Sequence, residues 1–413
     1  MIKLKKISLI LCGAIVIPLL IGSVQAKKAP SEKKKTVVVE KNVVAEPAPV
    51  SSGTSTDQPI EILAKQAILV DYQTGTVLLE KNADELMHPS SMTKIMTTYL
   101  VLEKIKDGII TLDTLVLIGR NAWRVEGSSM FLNIDTTVRV EDLLKGLIIQ
   151  SGNDAGIALA EKLSGSEAVF AQEMTRRAHE LGATHTNFVN SSGLPDPRHL
   201  TTARDLVILA LHTINDHPSF YHLHSEKDFT YGGIKQGNRN PLLYKNIGCD
   251  GLKTGHTQAG GFGMVASCVQ DGHRLILVIN GLPSMQARSD EAVKLITWGM
   301  MMYSNYTIYK EGQIIDSVPV LMGKENKLPV TVQKTAVVTL LRSSQKDMKV
   351  TIDCKTPITA PIKEGQVVGK VIVSAPSLKE NLEFPLVAAA TIEKAGIFKR
   401  IKDSISHLIW GKS

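Results

Sequence analysis

Two strand-rich stretches of this chain are separated by a long helical stretch, and this order limits the folds that the chain can adopt. Residues 67–72 and 76–80, joined by Gln73-Thr74-Gly75, have the composition of a β-hairpin. The second strand-rich stretch covers residues 229–281. Because the residues between them have helical periodicity, strands from both stretches must pair in one sheet. The pattern predicts an α+β fold in which an antiparallel sheet carries a helical insert.

The spacing of apolar residues predicts the individual elements. Apolar side chains recur at intervals of three and four over residues 93–106, which predicts a helix. Further helices are predicted at residues 141–149, 155–163, 166–181, 202–213 and 286–303. A loop rich in proline, glycine and serine is predicted at residues 190–199. Residues 251–257, 262–269 and 274–280 are predicted to form an antiparallel meander.

The C-terminal part of the chain has a different pattern. A boundary near Ser304 ends the α+β domain, which we assign to residues 61–305. Short β-branched segments in residues 306–390 predict a small all-β domain. Residues 391–413 are predicted to form an amphipathic helix, with isoleucines on one face and basic residues on the rest. This composition is typical of a helix that lies in a membrane interface, and the alternative is a helix docked on the protein's own surface.

The N-terminal residues indicate export from the cytoplasm. Lys3, Lys5 and Lys6 precede an apolar run over residues 7–22, and Val24-Gln25-Ala26 supplies the small residues of a cleavage site. We therefore predict a signal peptide at residues 1–26, with an uncleaved anchor as the alternative. Residues 27–60 contain no aromatic residue and are rich in lysine, glutamate, proline and serine, which predicts a flexible tether.

Net charge and motif content narrow the range of partners. The formal net charge is +7, and much of the excess lies in the tether and at the C-terminus. Charge at the ends favours an anionic membrane surface or wall polymer, and no nucleic-acid-binding motif accompanies it. We predict no cofactor, because no glycine-rich phosphate loop follows a strand. We also predict no metal, because no Cys, Asp or third His pattern joins His222 and His224, and a surface pair is favoured over a ligand pair.

Three cysteines remain after removal of the predicted signal peptide: Cys249, Cys268 and Cys354. An odd number in an exported protein leaves at least one thiol unpaired within the chain. If the strands around Lys253 and Val265 form a hairpin, Cys249 faces Cys268 across it. A disulfide between them is one hypothesis, and two buried free thiols are the second.

Three short motifs carry the chemistry: Ser91-Met92-Thr93-Lys94, Ser151-Gly152-Asn153 and Lys253-Thr254-Gly255. A hydroxyl and an amine three positions apart lie on one face of a helix. The amine can accept the hydroxyl proton when burial or a second cation suppresses its own charge. We expect the first motif to form the first turn of a helix, with Ser90 as a competing hydroxyl at the i,i+4 spacing to Lys94.

In this order the three motifs resemble the signatures of the serine penicillin-binding proteins and serine β-lactamases. Residues 87–94, 150–155, 190–194 and 250–257 resemble low-molecular-mass D-alanyl-D-alanine carboxypeptidases more specifically, as does the helix start that contains Arg288. The resemblance runs from about Glu61 to the C-terminus. It implies a β-lactamase/transpeptidase-like catalytic domain followed by a small all-β domain and an anchoring helix.

The resemblance also implies roles for the catalytic residues. Ser91 is the expected nucleophile, Lys94 is its base, and Ser151 relays the proton toward the leaving amine. Asn153 is expected to hold the substrate's amide. A second ammonium at Lys253 is expected to lower the pKa of Lys94.

The remaining site residues are expected to bind the substrate. Thr254 and Gly255 lie on a strand whose edge can accept an extended peptide. The resemblance places the oxyanion hole at the backbone N–H groups of His256 and of the nucleophile. Arg288 is expected to anchor the terminal carboxylate, because a guanidinium matches its geometry. Arg239 follows the family pattern without an assigned step.

The expected function is that of an exported serine DD-carboxypeptidase, which removes the terminal D-alanine from peptidoglycan pentapeptides through an acyl-enzyme at Ser91. β-Lactams are expected to acylate the same serine. A β-lactamase is disfavoured, because no Glu-x-x-Leu-Asn stretch lies between Asn153 and Lys253. A DD-endopeptidase that uses the same residues and a non-catalytic wall-binding scaffold are two further candidate functions. The expected location is the extracytoplasmic face of the cytoplasmic membrane, with peripheral attachment through the C-terminal helix.

Overall fold

The computed structural model describes residues 60–410, and side chains as far as residue 407. The signal peptide predicted at residues 1–26 and the tether predicted from residue 27 lie outside these residues, apart from Ile60.

The first part of the described chain contains most of the helices. Its elements are β1 (Gln66–Asp71), β2 (Val77–Lys81), α1 (Lys94–Lys106), β3 (Leu115–Leu117), α2 (Arg120–Arg124), β4 (Thr137–Arg139), α3 (Val140–Ile148), α4 (Asn153–Ser164), α5 (Glu167–Glu180), α6 (Ala203–Asp216), β5 (Asp228–Tyr231), β6 (Ile234–Gly237), β7 (Cys249–Thr257), β8 (Gly261–Gln270), β9 (His273–Leu282) and α7 (Met285–Met302). The second part consists of β10 (Tyr303–Tyr309), β11 (Asp316–Leu321), β12 (Lys327–Val332), β13 (Ala336–Leu341), β14 (Lys349–Cys354), β15 (Ile358–Thr359), β16 (Val367–Ser374), β17 (Leu382–Ala388) and α8 (Ile397–Trp410).

A five-stranded antiparallel sheet joins the two ends of the first part. Its strand order is β2-β1-β9-β8-β7, so β1 lies directly beside β9 although the helical insert separates them in sequence. Ala67 pairs with Ile279 across this junction. The predicted α+β fold with a helical insert is therefore confirmed, and β7 is left at the sheet edge.

Both faces of this sheet are covered by helices. Alternate residues of a strand point to opposite faces. In β9, Ile276 and Val278 pack with the core of the helical insert, whereas Leu275, Leu277 and Ile279 pack beneath α7. All five are fully buried. Burial on both faces explains why the central strands are continuously apolar instead of alternating with polar residues.

The second part of the chain is an all-β unit with its own core. Its six-stranded sheet has the order β14-β16-β17-β12-β11-β15, and β10 pairs separately with β13. The segment before α8 also belongs to this unit. Ile392 is 2% exposed and bridges Ile362, and the Ala395 N–H donates to the Met322 carbonyl at 2.9 Å. The C-terminal helix therefore begins at Ile397, later than the expected start at residue 391.

A buried carboxylate fixes the β unit to the sheet. Asp71 is fully buried at the end of β1 and accepts hydrogen bonds from His273 Nε2 (2.9 Å), Asn305 Nδ2 (3.0 Å) and the Thr74 N–H (2.7 Å). Thr74 is in turn hydrogen-bonded to Thr339 of β13. Burial alone would raise the pKa of Asp71, but these hydrogen bonds hold it below its ordinary value of 3.8. Asp71 is therefore charged near neutral pH, and it connects elements of both parts.

Cys249 and Cys268 pair across β7 and β8 and form a disulfide, which confirms one of the two hypotheses for these cysteines. The bridge ties the edge strand to its neighbour. Cys354, in β14, is a half-buried free thiol.

Candidate active site

Most of the predicted site residues line one cleft. The cleft has a volume of about 450 Å³. It is lined by Ser91, Ser128, Ser151, Arg239, Thr254, Gly255, His256, Phe262, Met285 and Arg288. The remaining predicted residues, Lys94, Asn153 and Lys253, are buried next to these side chains, at 1%, 4% and 4% exposure. The three motifs therefore meet in one place, although they come from distant parts of the chain.

Ser91 lies in a turn that precedes α1, not in the α-helix itself. Residues Ser90–Thr93 form a 3₁₀ turn that continues directly into α1, so the expected first helical turn is present in 3₁₀ form. Ser90 begins this turn with a φ of 50°, in the left-handed region. The N–H groups that begin such a turn have no acceptor within it, so the Ser91 N–H is available to a ligand.

The structure separates the two competing serines. Lys94 Nζ lies 3.0 Å from Ser91 Oγ, and Ser91 is partly exposed to the cleft. Ser90 is 2% exposed, and its hydroxyl is hydrogen-bonded at 2.9 Å to Thr257 Oγ1. Only Ser91 thus combines access to the cleft with a contact to the amine.

Three oxygens surround the amine of Lys94. Lys94 Nζ donates to Ser91 Oγ, to Asn153 Oδ1 (2.8 Å) and to the Ser192 carbonyl (2.7 Å). Burial and, after it, the positive charge of Arg239 lower the pKa of Lys94 from 10.5 to about 7. The carboxylates of Asp154 and Glu167 oppose this effect. A large fraction of Lys94 is therefore an unprotonated amine near neutral pH, and such an amine can accept a proton.

Lys253 is a second buried amine whose charge is coupled to that of Lys94. Burial and the positive charges of Lys94, Arg239 and Arg288 together lower its pKa well below the ordinary value of 10.5. The repulsion between Lys94 and Lys253 acts on both amines, and the guanidinium of Arg239 adds to it at Lys94. Two ammonium groups buried this close repel each other, so the pair holds fewer than two protons near neutral pH.

The second motif lies at the start of α4. Ser151 is 1% exposed and has a φ of 61°, and the helix begins two residues later at Asn153. The Asn153 amide uses both of its ends: Oδ1 accepts from Lys94, and Nδ2 donates to the Glu126 carbonyl at 2.8 Å. Asn153 therefore connects the amine to the loop over residues 126–132.

Asp154 organises that loop, a role that the motif alone did not reveal. Its carboxylate accepts from the N–H groups of Met130 (3.0 Å) and Leu132 (3.1 Å) and from Ser129 Oγ (2.7 Å). The same loop carries Ser128, which accepts a hydrogen bond from Arg239 at the rim of the cleft. An acidic residue in the first turn of a helix was the available signal.

The loop over residues 190–194 supplies a backbone ligand for Lys94. Asn190 Oδ1 accepts from the N–H groups of Ser192, Gly193 and Leu194, and this fold of the loop aims the Ser192 carbonyl at the amine. Glu167 holds the opposite side of the loop, where it accepts from both the N–H and the hydroxyl of Ser191. A turn composition was visible in the sequence, but it could not indicate which carbonyl faces Lys94.

The edge strand β7 forms the opposite wall of the cleft. A Cβ atom added at Gly255 would lie 2.8 Å from the Pro89 carbonyl, so glycine allows the strand to approach the Ser90–Thr93 turn closely. Lys253 Nζ donates to the Thr254 carbonyl at 3.2 Å. His256 is exposed, and its ring stacks on Phe262 at 3.9 Å between centroids. An edge strand can accept an extended peptide through its free backbone groups.

Arg288 is a buried cation with an unused donor. It is 6% exposed, and its Nε finds no hydrogen-bond partner within residues 60–410. Burial lowers its pKa to about 10, so it remains charged at neutral pH. Its guanidinium lies 5.9 Å from the Phe262 ring centroid. A buried donor without a partner costs free energy that a bound anion would recover.

Together these features define a serine acyl-transfer site with a lysine base. A hydroxyl contacts an amine whose charge burial suppresses, and a guanidinium with an unused donor lines the same cleft. Within residues 60–410, no group of three or more His, Cys, Asp or Glu side chains is arranged to hold a metal ion.

The chain belongs to the peptidase S11 family, D-alanyl-D-alanine carboxypeptidase, whose model matches residues 52–284. Residues 303–394 match the C-terminal domain of penicillin-binding protein 5. The chain is 39% identical to D-alanyl-D-alanine carboxypeptidase DacC of Escherichia coli, over 83% of this chain and 87% of that protein. Its structure is similar to that of penicillin-binding protein 5 from Haemophilus influenzae, with a TM-score of 0.76 and 36% identity over 82% of this chain and 100% of that one. It is also similar to penicillin-binding protein D2 from Listeria monocytogenes in its ampicillin-bound form, with a TM-score of 0.54 and 30% identity over 59% of this chain and 100% of that one.

We predict that Gly193→Ala destabilises the protein because two costs add. Gly193 has a φ of 81°, and an added Cβ would lie 1.8 Å from the Ser90 carbonyl. The left-handed backbone and the overpacking together should cost roughly 2–5 kcal/mol. Gly165→Ala is the matched control: its φ is 75°, but nothing lies within 4 Å of the added Cβ. Gly165→Ala should lower the free energy of unfolding by only about 1–2 kcal/mol. Urea unfolding measures the loss in both variants. Equal losses in the two variants would contradict the steric argument.

Proposed function

We propose that this protein is a serine-type D-alanyl-D-alanine carboxypeptidase that removes the terminal D-alanine from peptidoglycan pentapeptides. The observation that carries the proposal is the 3.0 Å contact between Ser91 Oγ and Lys94 Nζ, with the pKa of Lys94 lowered to about 7. Membership of the peptidase S11 family supports the same activity.

In the proposed reaction the neutral amine of Lys94 takes the proton of Ser91 as Oγ attacks the penultimate carbonyl. The backbone N–H groups of Ser91 and His256 receive the developing oxyanion, and loss of such a donor typically costs about 100- to 1,000-fold in rate. The C–N bond then breaks, and Ser151 passes a proton from Lys94 to the departing D-alanine amine. Attack of water on the ester releases the shortened peptide and restores Ser91.

Substrate binding is proposed to use both walls of the cleft. The peptide adds to the edge of β7 beside Thr254 and Gly255, and the Asn153 amide exchanges its bond with Lys94 for one with the substrate. Arg288 pairs with the free carboxylate of the terminal D-alanine. Lys253 and Arg239 contribute positive charge near that carboxylate, and each proton they hold strengthens its binding.

Arg288 also favours the carboxypeptidase over the endopeptidase, since the bond that an endopeptidase cuts is not followed by a free main-chain carboxylate. A β-lactamase is not favoured, because the segment between Asn153 and Lys253 lacks a Glu-x-x-Leu-Asn stretch to activate water. A scaffold without activity would not need a buried amine next to Ser91. We propose that β-lactams acylate Ser91, in line with the ampicillin-bound form of the Listeria relative.

We predict that Ser91→Ala abolishes both D-alanine release from a diacylated D-Ala-D-Ala peptide and the covalent adduct with a penicillin. Ser90→Ala is the control, and it should retain the adduct because the Ser90 hydroxyl faces Thr257. Intact-protein mass spectrometry measures the adduct. An adduct that persists in Ser91→Ala, or rapid penicillin turnover by the unmodified protein, would refute the assignment.

We predict that kcat/KM for D-alanine release rises with pH to a plateau, with a midpoint near 7 set by Lys94. Only the unprotonated amine acts as base, so activity falls below that pH. Glu167→Gln removes a carboxylate that raises the pKa of Lys94 but keeps an acceptor for Ser191, so the midpoint should move to lower pH. Glu173→Gln, on the same helix, should leave it in place. A midpoint that does not respond to Glu167→Gln would exclude Lys94 as the titrating group.

We propose further that residues 1–26 direct export and that α8 attaches the protein to the extracytoplasmic face of the membrane. No helix within residues 60–410 has the length and apolar character to cross a bilayer. Helix α8 contacts the β unit through polar groups: Lys399 Nζ donates to the Lys324 carbonyl (2.8 Å), and Asp403 accepts from the Met322 N–H (3.3 Å). The apolar side chains of its residues 397–407 remain exposed. They are Ile397 (68%), Phe398 (91%), Ile401 (53%) and Ile405 (52%). Exposed apolar residues flanked by cations suit an anionic membrane surface.

We predict that removal of residues 397–413 abolishes binding to vesicles that contain phosphatidylglycerol, in protein made without residues 1–26. The cut leaves Ile392 and Ala395 in the β unit, so the fold and D-alanine release from soluble peptides should persist. Ile401→Asp with Ile405→Asp should weaken binding without a truncation. Cosedimentation measures it, and undiminished binding of the truncated protein would contradict the proposal.

A further inference from the structure

Arg239 lies in a short segment that two asparagines fix in place. Residues 238–240 connect β6 to a 3₁₀ turn at Pro241–Tyr244, and the chain then enters β7. Asn238 and Asn240 flank Arg239, and Asn240 is 2% exposed. Arg239 itself is exposed at the rim of the cleft, so the flanking asparagines determine where its side chain starts.

Asn240 uses both ends of its side-chain amide inside the protein. Its Nδ2 donates to the Gly251 carbonyl of β7 at 2.9 Å. Its Oδ1 accepts from the Leu242 N–H at 3.0 Å and so caps the 3₁₀ turn. Gly251 lies two residues before Lys253 in β7. The first of these bonds therefore ties the residue next to Arg239 directly to the strand that carries the third motif.

Asn238 ties the other side of Arg239 to the segment before β5. The Asn238 N–H donates to the Lys227 carbonyl (2.7 Å), and its Nδ2 donates to the Glu226 carbonyl (2.9 Å). Its Oδ1 accepts from the Asn240 N–H at 3.0 Å. The backbone of Arg239 is therefore held on both sides, and Asn240 supplies the connection to β7.

The guanidinium of Arg239 reaches the other wall of the cleft. It donates to Ser128 Oγ, on the loop that Asp154 organises, and both partners line the cleft. From this position its positive charge is the second cause, after burial, of the lowered pKa of Lys94, and it also lowers the pKa of Lys253. The effect of a charge falls with distance, so it depends on where Arg239 is held.

We propose that Asn240 is a positioning residue for the reaction. Its hydrogen bond to the Gly251 carbonyl holds Arg239 where the guanidinium joins the two walls of the cleft and acts on the Lys94 amine. Asn240 does not line the cleft itself, so it affects the reaction through Arg239. The inference rests on the proposed function, because that function assigns the role of base to Lys94.

The surroundings of the Lys94 amine fix the direction of the expected effect. The other titratable groups that interact with this amine are Lys253, Asp154, Glu167 and His199. The lysine repels a proton on the amine, the two carboxylates attract it, and the imidazole is neutral at pH 7 because burial lowers its pKa to about 4. Moving the Arg239 charge away therefore raises the pKa of Lys94, and the pH midpoint of the reaction rises with it.

The test measures the pH midpoint of kcat/KM for D-alanine release in Asn240→Ser. Serine is itself a favourable cap for the Leu242 N–H, but its hydroxyl is too short to reach the Gly251 carbonyl. The midpoint should rise by roughly 0.5 to 1 pH unit, as it should in Arg239→Gln. Asn82→Ser is the matched control. It removes a bond of the same kind, from Nδ2 to the Lys65 carbonyl (3.0 Å), beyond the opposite edge of the sheet, and should leave the midpoint in place.

A double-mutant cycle separates positioning from a general loss of structure. If Asn240 acts through Arg239, Asn240→Ser should cause no further shift in a protein that already carries Arg239→Gln. A fraction of misfolded protein lowers kcat/KM by the same factor at each pH and so leaves the midpoint unchanged.

An unchanged midpoint in either single variant would overturn the inference while leaving the carboxypeptidase intact. A shift from Asn240→Ser that is equally large with and without Arg239→Gln would also overturn it. Failure of the unmodified protein to release D-alanine would overturn the proposed function together with the inference.

Discussion

Burial of the Lys94 amine is the constraint on which the rest of the site depends. Removing an ammonium from water is costly, and the protein lowers this cost by letting the amine lose its proton and by surrounding it with three oxygens. Two of those oxygens, on Asn153 and Ser192, come from segments that are distant from Lys94 in sequence. The same burial that makes the amine a base therefore requires these segments to be held in place. Asp154, Asn190 and Glu167 hold these segments in place. They fix the loops and do not contact the Ser91 hydroxyl.

The sheet explains how such distant segments meet. Pairing of β1 with β9 closes the helical insert against the sheet and places β7 at the edge, with its free side toward the nucleophile turn. Gly255 then lets the strand approach Pro89, and Gly193 lets the loop approach Ser90 from the opposite side. The turn that carries Ser91 is thus in close contact with two glycines. At either glycine an added Cβ would collide with the backbone of the turn or of Pro89.

The sequence predicted the elements and the reactive side chains better than it predicted the backbone around them. Periodicity located the ends of α1 and of α3 to α7 to within three residues, and the three motifs located Ser91, Lys94, Ser151, Asn153 and Lys253 in one place. It could not predict the left-handed φ of Ser90, because serine does not require one. It could not predict the Ser192 carbonyl, because every residue has a carbonyl. The motifs indicated the charge of Lys253 but not that of Arg239, because sequence order does not show which further cations lie near Lys94.

The hydrogen bond between the Ser90 and Thr257 hydroxyls has two consequences. It keeps the Ser90 hydroxyl away from Lys94, so that only Ser91 meets the amine. It also forms the partition between the cleft and a second, adjoining cavity, since both residues line that cavity and their neighbours Ser91 and His256 line the cleft. Ser90 and Thr257 thus adjoin both spaces, because each is the chain neighbour of a residue that lines the cleft.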